Sequence, residues 1–231
     1  MAKLERDVED RFFDIITNQK ENPSSNAYGI YQRLVYYRFE EIIKNTFPEF
    51  IKNISEKKLE ESIYSFLKTP PSTPFVWKIA NDYRKFVKKN KVFDSKKYLY
   101  ELLYFDWIEV KLLMTEYKEQ KESTFSWQNF YSISHTCKIK KFDYDIINKE
   151  YKTKRENFLI IYNNFKINEV VFREINQFIF VLLQRINKKE SIEETLNLLC
   201  TENEIDINEA KTILYEALNE LLYDKALKFV R

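Results

Sequence analysis

The run Lys97–Tyr117, KYLYELLYFDWIEVKLLMTEY, constrains the fold more than any other stretch of the chain. It has no Gly or Pro and keeps a helical period throughout. Wound at about 100° per residue, it gathers Leu99, Leu103, Val110, Leu113, Met114 and Tyr117 on one broad face, and Phe105, Ile108 and Leu112 on another. A helix that is apolar on two sides packs on two sides. The run is therefore expected to be the central helix of an N-terminal helical bundle. Asp106 falls inside the broad apolar face, where a carboxylate needs a partner. Arg38 borders the apolar face of an earlier helix, so a structural ion pair between Arg38 and Asp106 is expected.

Residue types that are scarce narrow the function. Among 231 residues there is 1 Gly, 1 His (His135) and 2 Cys (Cys137 and Cys200). Catalytic zinc and non-haem iron sites generally draw on two or more histidines. A single Gly leaves no glycine-rich phosphate loop, and the cysteines form no CxxC pair. No catalytic residue, metal ligand or cofactor is therefore expected in this chain. The formal charge of +2 makes no case for a polyanionic partner. The abundant lysines and aromatics fit an AT-rich coding bias and are discounted as signals. No signal-peptide core opens the chain and no apolar run reaches a membrane-spanning length, so a cytoplasmic protein without membrane contact is expected.

Read in order, Leu4–Thr17 predicts a helix with Val8, Phe12, Ile15 and Ile16 on one face. After a break at Asn22–Asn26, a second helix spans about Ala27 to Phe47, with Tyr31, Val35, Phe39, Ile42 and Ile43 inward. Pro48 starts a short turn and Ser55 opens a helix to Leu67. In Thr69–Pro74, Thr73 is placed to cap and Pro74 to begin the next helix. The basic segment Arg84–Lys97 is either a solvated helix end or a patch that attracts an acidic peptide. A polar stretch, KEQKESTFS, marks the boundary between domains 1–120 and 121–231. Beyond it, Ile133–Ile147 alternates loosely as a strand would. Phe158–Tyr162 and Phe165–Phe172 read as strands joined at Asn163-Asn164. Three helices follow, the second opened by the capping box Ser191–Glu194 and the third capped by Asp206. Ala226–Val230 closes as a strand. The fold class is α+β and mostly α: a helical bundle followed by a winged-helix-like α+β domain.

Three segments carry a family resemblance. YQRLVYYRFEEIIKNTFPEF (31–50), TPPSTPFVWKIANDYRKFV (69–87) and YELLYFDWIEV (100–110) resemble the Y-R…FP, P-P-x-S-P…F-x-x-F-L and L-A-x-L-E-W motifs of the HvfC/BufC-type partner proteins, a bacterial family first labelled as DNA-binding. Asn81 stands in place of a Gly, and Asp106 in place of the usual Glu. The C-terminal half, Asn157–Arg231, separately resembles the PqqD-type peptide-recognition module. The resemblance implies an accessory subunit that is not itself an enzyme. It would form a complex with a multinuclear non-haem iron oxidase of TIM-barrel type and help it modify a ribosomally made precursor peptide (RiPP biosynthesis). The iron would belong to the oxidase alone.

The older label makes a winged-helix DNA-binding regulator the alternative. From Val170 to Arg231 there are 8 Lys+Arg against 11 Asp+Glu, and the would-be reading helix carries Glu209, Glu216 and Glu220 against Lys211. DNA affinity rests on phosphate neutralisation, so this charge argues against DNA. A precursor leader is expected instead to add as a strand beside Phe165–Phe172. Phe165, Ile167, Asn168, Val170 and Phe172 would form the strand side of the peptide site, and Tyr215, Leu218 and Leu222 the helix side.

Overall fold

The computed structural model describes residues 26–69, 75–116, 123–186 and 189–230. Among them the chain is mixed α/β and mostly helical, with eight helices and two small antiparallel sheets. It divides into two compact units, Met1–Val110 and Lys111–Arg231. The helix expected at Leu4–Thr17 and the cap expected at Thr73 lie outside the described residues.

The first unit holds α1 (Asn26–Thr46), α2 (Pro48–Lys52), α3 (Glu56–Leu67), α4 (Val76–Lys89) and most of α5 (Tyr98–Leu113). Pro48 fills the first position of α2, where its missing N–H costs nothing. Ile43, Phe47, Phe50, Ile63, Tyr83, Leu99, Leu102 and Leu103 are buried. Rings interlock at Phe47–Tyr83, Phe66–Tyr83 and Phe50–Phe93, with centroids 5.9, 5.5 and 5.6 Å apart. The Tyr83 hydroxyl is satisfied by Ser62 at 2.7 Å, as a buried phenol requires.

On α5, Ile108 and Leu112 of the second stripe are fully buried, whereas Leu113 and Met114 at the end of the broad face are exposed. Asp106 is buried, but Arg38 is not its partner. Arg38 pairs with Glu41 at 2.9 Å on the solvent side of α1. The buried stripe of α1 runs through Tyr36, Ile42, Ile43 and Thr46, leaving Leu34 and Arg38 exposed. Asp106 instead accepts the Phe50 amide at 2.9 Å, and the Glu49 amide beside it. These are donors that the start of α2 leaves free, since no side chain caps it at Phe47.

The second unit opens with β1 (Tyr131–Ile133), followed by the meander β2 (Cys137–Asp145), β3 (Glu150–Asn164) and β4 (Glu169–Ile175). Then come α6 (Gln177–Arg185), α7 (Ile192–Glu202), α8 (Ile207–Tyr223) and β5 (Leu227–Phe229). β5 returns antiparallel to β1, with Tyr131 opposite Phe229. The larger sheet has the order β2-β3-β4. Cys137 lies opposite Tyr162 and Ile139 opposite Ile160, so all four share one face. That face packs with Leu182, Leu196, Leu214 and Leu218 of the three helices. Leu159 and Ile161, which point the other way, are fully buried as well. Both caps form as the residues dictate. Ser191 and Glu194 make the reciprocal capping box of α7, and Asp206 accepts the amides of Asn208 and Glu209 at the start of α8.

The hairpin turns later than its sequence suggests. Asn163 and Asn164 still belong to β3, opposite Val170 and Glu169. Phe165–Asn168 form the turn, and it is Asn168 that takes the positive φ of 55°, a conformation Asn tolerates better than most residues. The Asn164 side chain accepts the Lys166 amide at 3.1 Å, competing with further pairing, as Asx turns do. Phe165, Ile167 and Asn168 are thus turn residues rather than strand residues.

Candidate functional site

The two outer strands of the larger sheet differ in what they offer. β2 carries Lys138, Lys140 and Lys141, and its pairing with β3 shifts register between Phe142 and Tyr144 and again between Tyr144 and Asp145. Lysines and bulges are the usual means of blocking strand addition. β4 runs in continuous register from Glu169 to Ile175, with the apolar stretch Val170-Val171-Phe172 at its centre. Among the described residues no strand pairs with its outer side.

Two of the charges along β4, Arg173 and Glu174, are already engaged. Arg173 donates to Glu220 of α8 at 2.5 Å, and Glu174 accepts from Arg155 at 2.7 Å. Arg155 also reaches Asp145 and Asn157, each at 3.1 Å. The Asp145 carboxyl is held below the usual carboxylate range, first by the Asn148 side chain and then by Arg155. This lattice of polar bonds fixes β4 against β3 and leaves main-chain donors and acceptors as the chemistry of the outer edge.

Beside the hairpin turn lies an open groove of about 660 Å³, bordered by Lys166, Tyr215, Glu216, Glu220, Leu222 and Tyr223 among others. Glu220 joins it to β4 through Arg173. The Lys166 ammonium sits over the Tyr223 ring. Tyr215 is 46% exposed and meets Phe125 edge-on. Tyr162 lies on the inner side of the same region. Its hydroxyl donates to Asp224 at 2.9 Å, and burial, with that carboxylate, pushes its pKa upward.

The expected peptide-site residues separate into three groups. Val170 and Phe172 are on β4, as are the main-chain groups a strand would need. Tyr215 and Leu222 border the groove, although Leu222 is 5% exposed. Leu218 is fully buried in the core and offers nothing to a ligand. Phe165, Ile167 and Asn168 lie in the turn, with Ile167 56% exposed. Sequence reasoning missed Arg173, Glu220 and Tyr223. The first two signal themselves only once β4 and α8 are placed side by side. Tyr223, just past the last core position of α8, gave no periodic signal.

The His135 ring bonds the Glu116 carbonyl at 2.9 Å. Burial pushes the Cys137 thiol up to about 12, which leaves it protonated and inert. Among the described residues no three of His, Cys, Asp and Glu gather as a metal site would require. Nor is any helix among them long and apolar enough to cross a membrane. No family model matches the chain, and no curated protein matches it.

Proposed function

We propose that this chain is a non-catalytic, cytoplasmic partner of a multinuclear non-haem iron oxidase in the modification of a ribosomally made peptide. The first unit, read as a helical bundle, docks the oxidase. The second, read as a winged-helix-like module, captures the precursor's leader. The observation that carries the peptide half is the outer edge of β4. It is apolar at its centre, in unbroken register, free of lysine, and flanked by a groove against α8. An extended peptide gains affinity there from main-chain hydrogen bonds and selectivity from alternate side chains. The oxidase half rests on the motifs at 31–50, 69–87 and 100–110, and any iron belongs to that partner.

A DNA-binding reading has less support. The lone cation of α8, Lys211, is held by Glu193 of α7, while Glu209, Glu216 and Glu220 are exposed on the same helix. The reading is tested by co-expressing the chain with an oxidase and a precursor encoded beside it. The three are expected to co-purify, and the mass shift of the peptide is expected to depend on this chain. Full modification in its absence would remove the partner role.

A further inference from the structure

The lysine-rich stretch between α4 and α5 belongs to the first unit, whereas the proposed peptide site is built from the second. One of its residues, Lys96, lines a cavity of about 320 Å³ in the first unit. Asn53–Ser55, one face of α3, and Val92, Phe93, Ser95 and Lys96 frame it, and Leu99 of α5 completes it. Its volume lies within the range of about 300–1,000 Å³ usual for small-molecule sites. Ile54, Val92, Phe93 and Leu99 supply an apolar wall.

The polar lining falls into committed and uncommitted groups. Ser62 donates to the Leu59 carbonyl at 2.6 Å and accepts from the Tyr83 hydroxyl at 2.7 Å. Ser65 donates to the Glu61 carbonyl at 2.8 Å. Ser55 stands at the head of α3, yet its hydroxyl caps no amide. Among the described residues neither Lys58 nor Lys96 has a carboxylate within ion-pairing distance. Glu61 is the single acid of the lining.

We propose that this cavity binds a small organic anion consisting of an oxyanion head and an apolar body. Lys58 and Lys96, which come from different elements, take the head. The Ile54–Val92–Phe93–Leu99 wall takes the body. Charge-assisted hydrogen bonds from ammonium groups to an oxyanion are the strong kind. Glu61 opposes the head group and limits affinity.

The full chain, ¹⁵N-labelled, is titrated separately with phenyl phosphate, benzoate, inorganic phosphate and phenol, and the amides of Ser55, Phe93 and Ser95 are followed by NMR. Phenyl phosphate, benzoate or both are expected to shift these amides saturably, while inorganic phosphate and phenol, each lacking one half of the ligand, bind about tenfold more weakly or less. A response to phenyl phosphate alone assigns the head as a phosphate ester, and a response to benzoate alone assigns it as a carboxylate. Lys58→Met and Lys96→Met, both at exposed positions, should leave the remaining spectrum unchanged and weaken binding about tenfold each, as loss of a hydrogen bond to a charged group does. Glu61→Gln is expected to tighten it. The proposal is overturned if no compound saturates these shifts below about 10 mM, or if both Lys variants bind as the wild type does.

Discussion

Asp106 on α5 accepts the main-chain amide of Phe50 at 2.9 Å, across 56 residues of sequence. The carboxyl is 4% exposed and, among the described residues, anchors the start of α2 without the help of a cation. Burial raises its pKa to about 7; the Phe50 and Glu49 amides pull it down, and the Glu49 and Glu109 carboxylates push it up. The folded chain therefore holds this proton over a pH range in which the unfolded chain, with its value near 3.8, has lost it. The stabilisation is complete below the unfolded value and disappears as pH rises towards 7. Denaturant unfolding is expected to show stability falling by on the order of 4 kcal/mol between pH 4 and 7. Asp106→Asn keeps an acceptor for Phe50 and cannot ionise, so its profile should be flatter and overtake the wild type as pH rises between about 4 and 7. A wild-type profile flat across that range would mean that the ionised carboxylate is the anchor.

Strand addition at β4 has a signature of period two. In an antiparallel pair, alternate residues point their N–H groups to the partner strand and the rest point outward. Single Pro substitutions from Val170 to Glu174 remove one donor each. Those facing β3 are expected to lower stability, and those facing outward to leave the fold intact while weakening leader binding, with Ala as the control at each position. Leader affinity indifferent to the outward prolines places the peptide elsewhere. Asn168 is excluded from the series, because its positive φ is closed to Pro whatever the ligand does.

The capping box of α7 is expected to be worth a typical amount. Ser191 accepts the Glu194 amide at 3.2 Å, and its own amide donates to the Glu194 carboxylate at 2.7 Å. Ser191→Ala should lower stability by about 1 kcal/mol, as read from the urea midpoint at constant m. No change would mean that α7 is held by its buried face alone.

Duplex DNA is expected to bind weakly and without sequence preference. The acidic face of α8 repels phosphate, and Lys211 is already occupied by Glu193. Fluorescence anisotropy at physiological salt measures this. Sequence-selective nanomolar binding would restore the regulator reading.

Much of the fold was legible where one rule dominated. The Ser191 box and the Asp206 cap are local signals, and each appears where the residues place it. The partner of Asp106 was not legible. Periodicity marks a carboxylate as buried but does not say that a helix start, rather than Arg38, will meet it. The first half of β3 was also hidden. Residues 150–157, EYKTKREN, lack apolar alternation, because the pairing there is secured by Arg155, Asp145 and the fully buried Asn157. In the peptide site, the strand was placed four residues early, since Asn163-Asn164 resembles a two-residue turn. The turn formed instead where Asn168 takes the left-handed conformation.

Amide hydrogen exchange on the chain with and without the precursor's leader tests peptide capture most directly, because it needs no substitution and reports the edge residue by residue. Adding the leader is expected to slow exchange at alternate amides between Glu169 and Ile175 and leave those of β2 unchanged. Protection that appears on β2 or on the helices of the first unit while the β4 amides exchange as before would contradict the account.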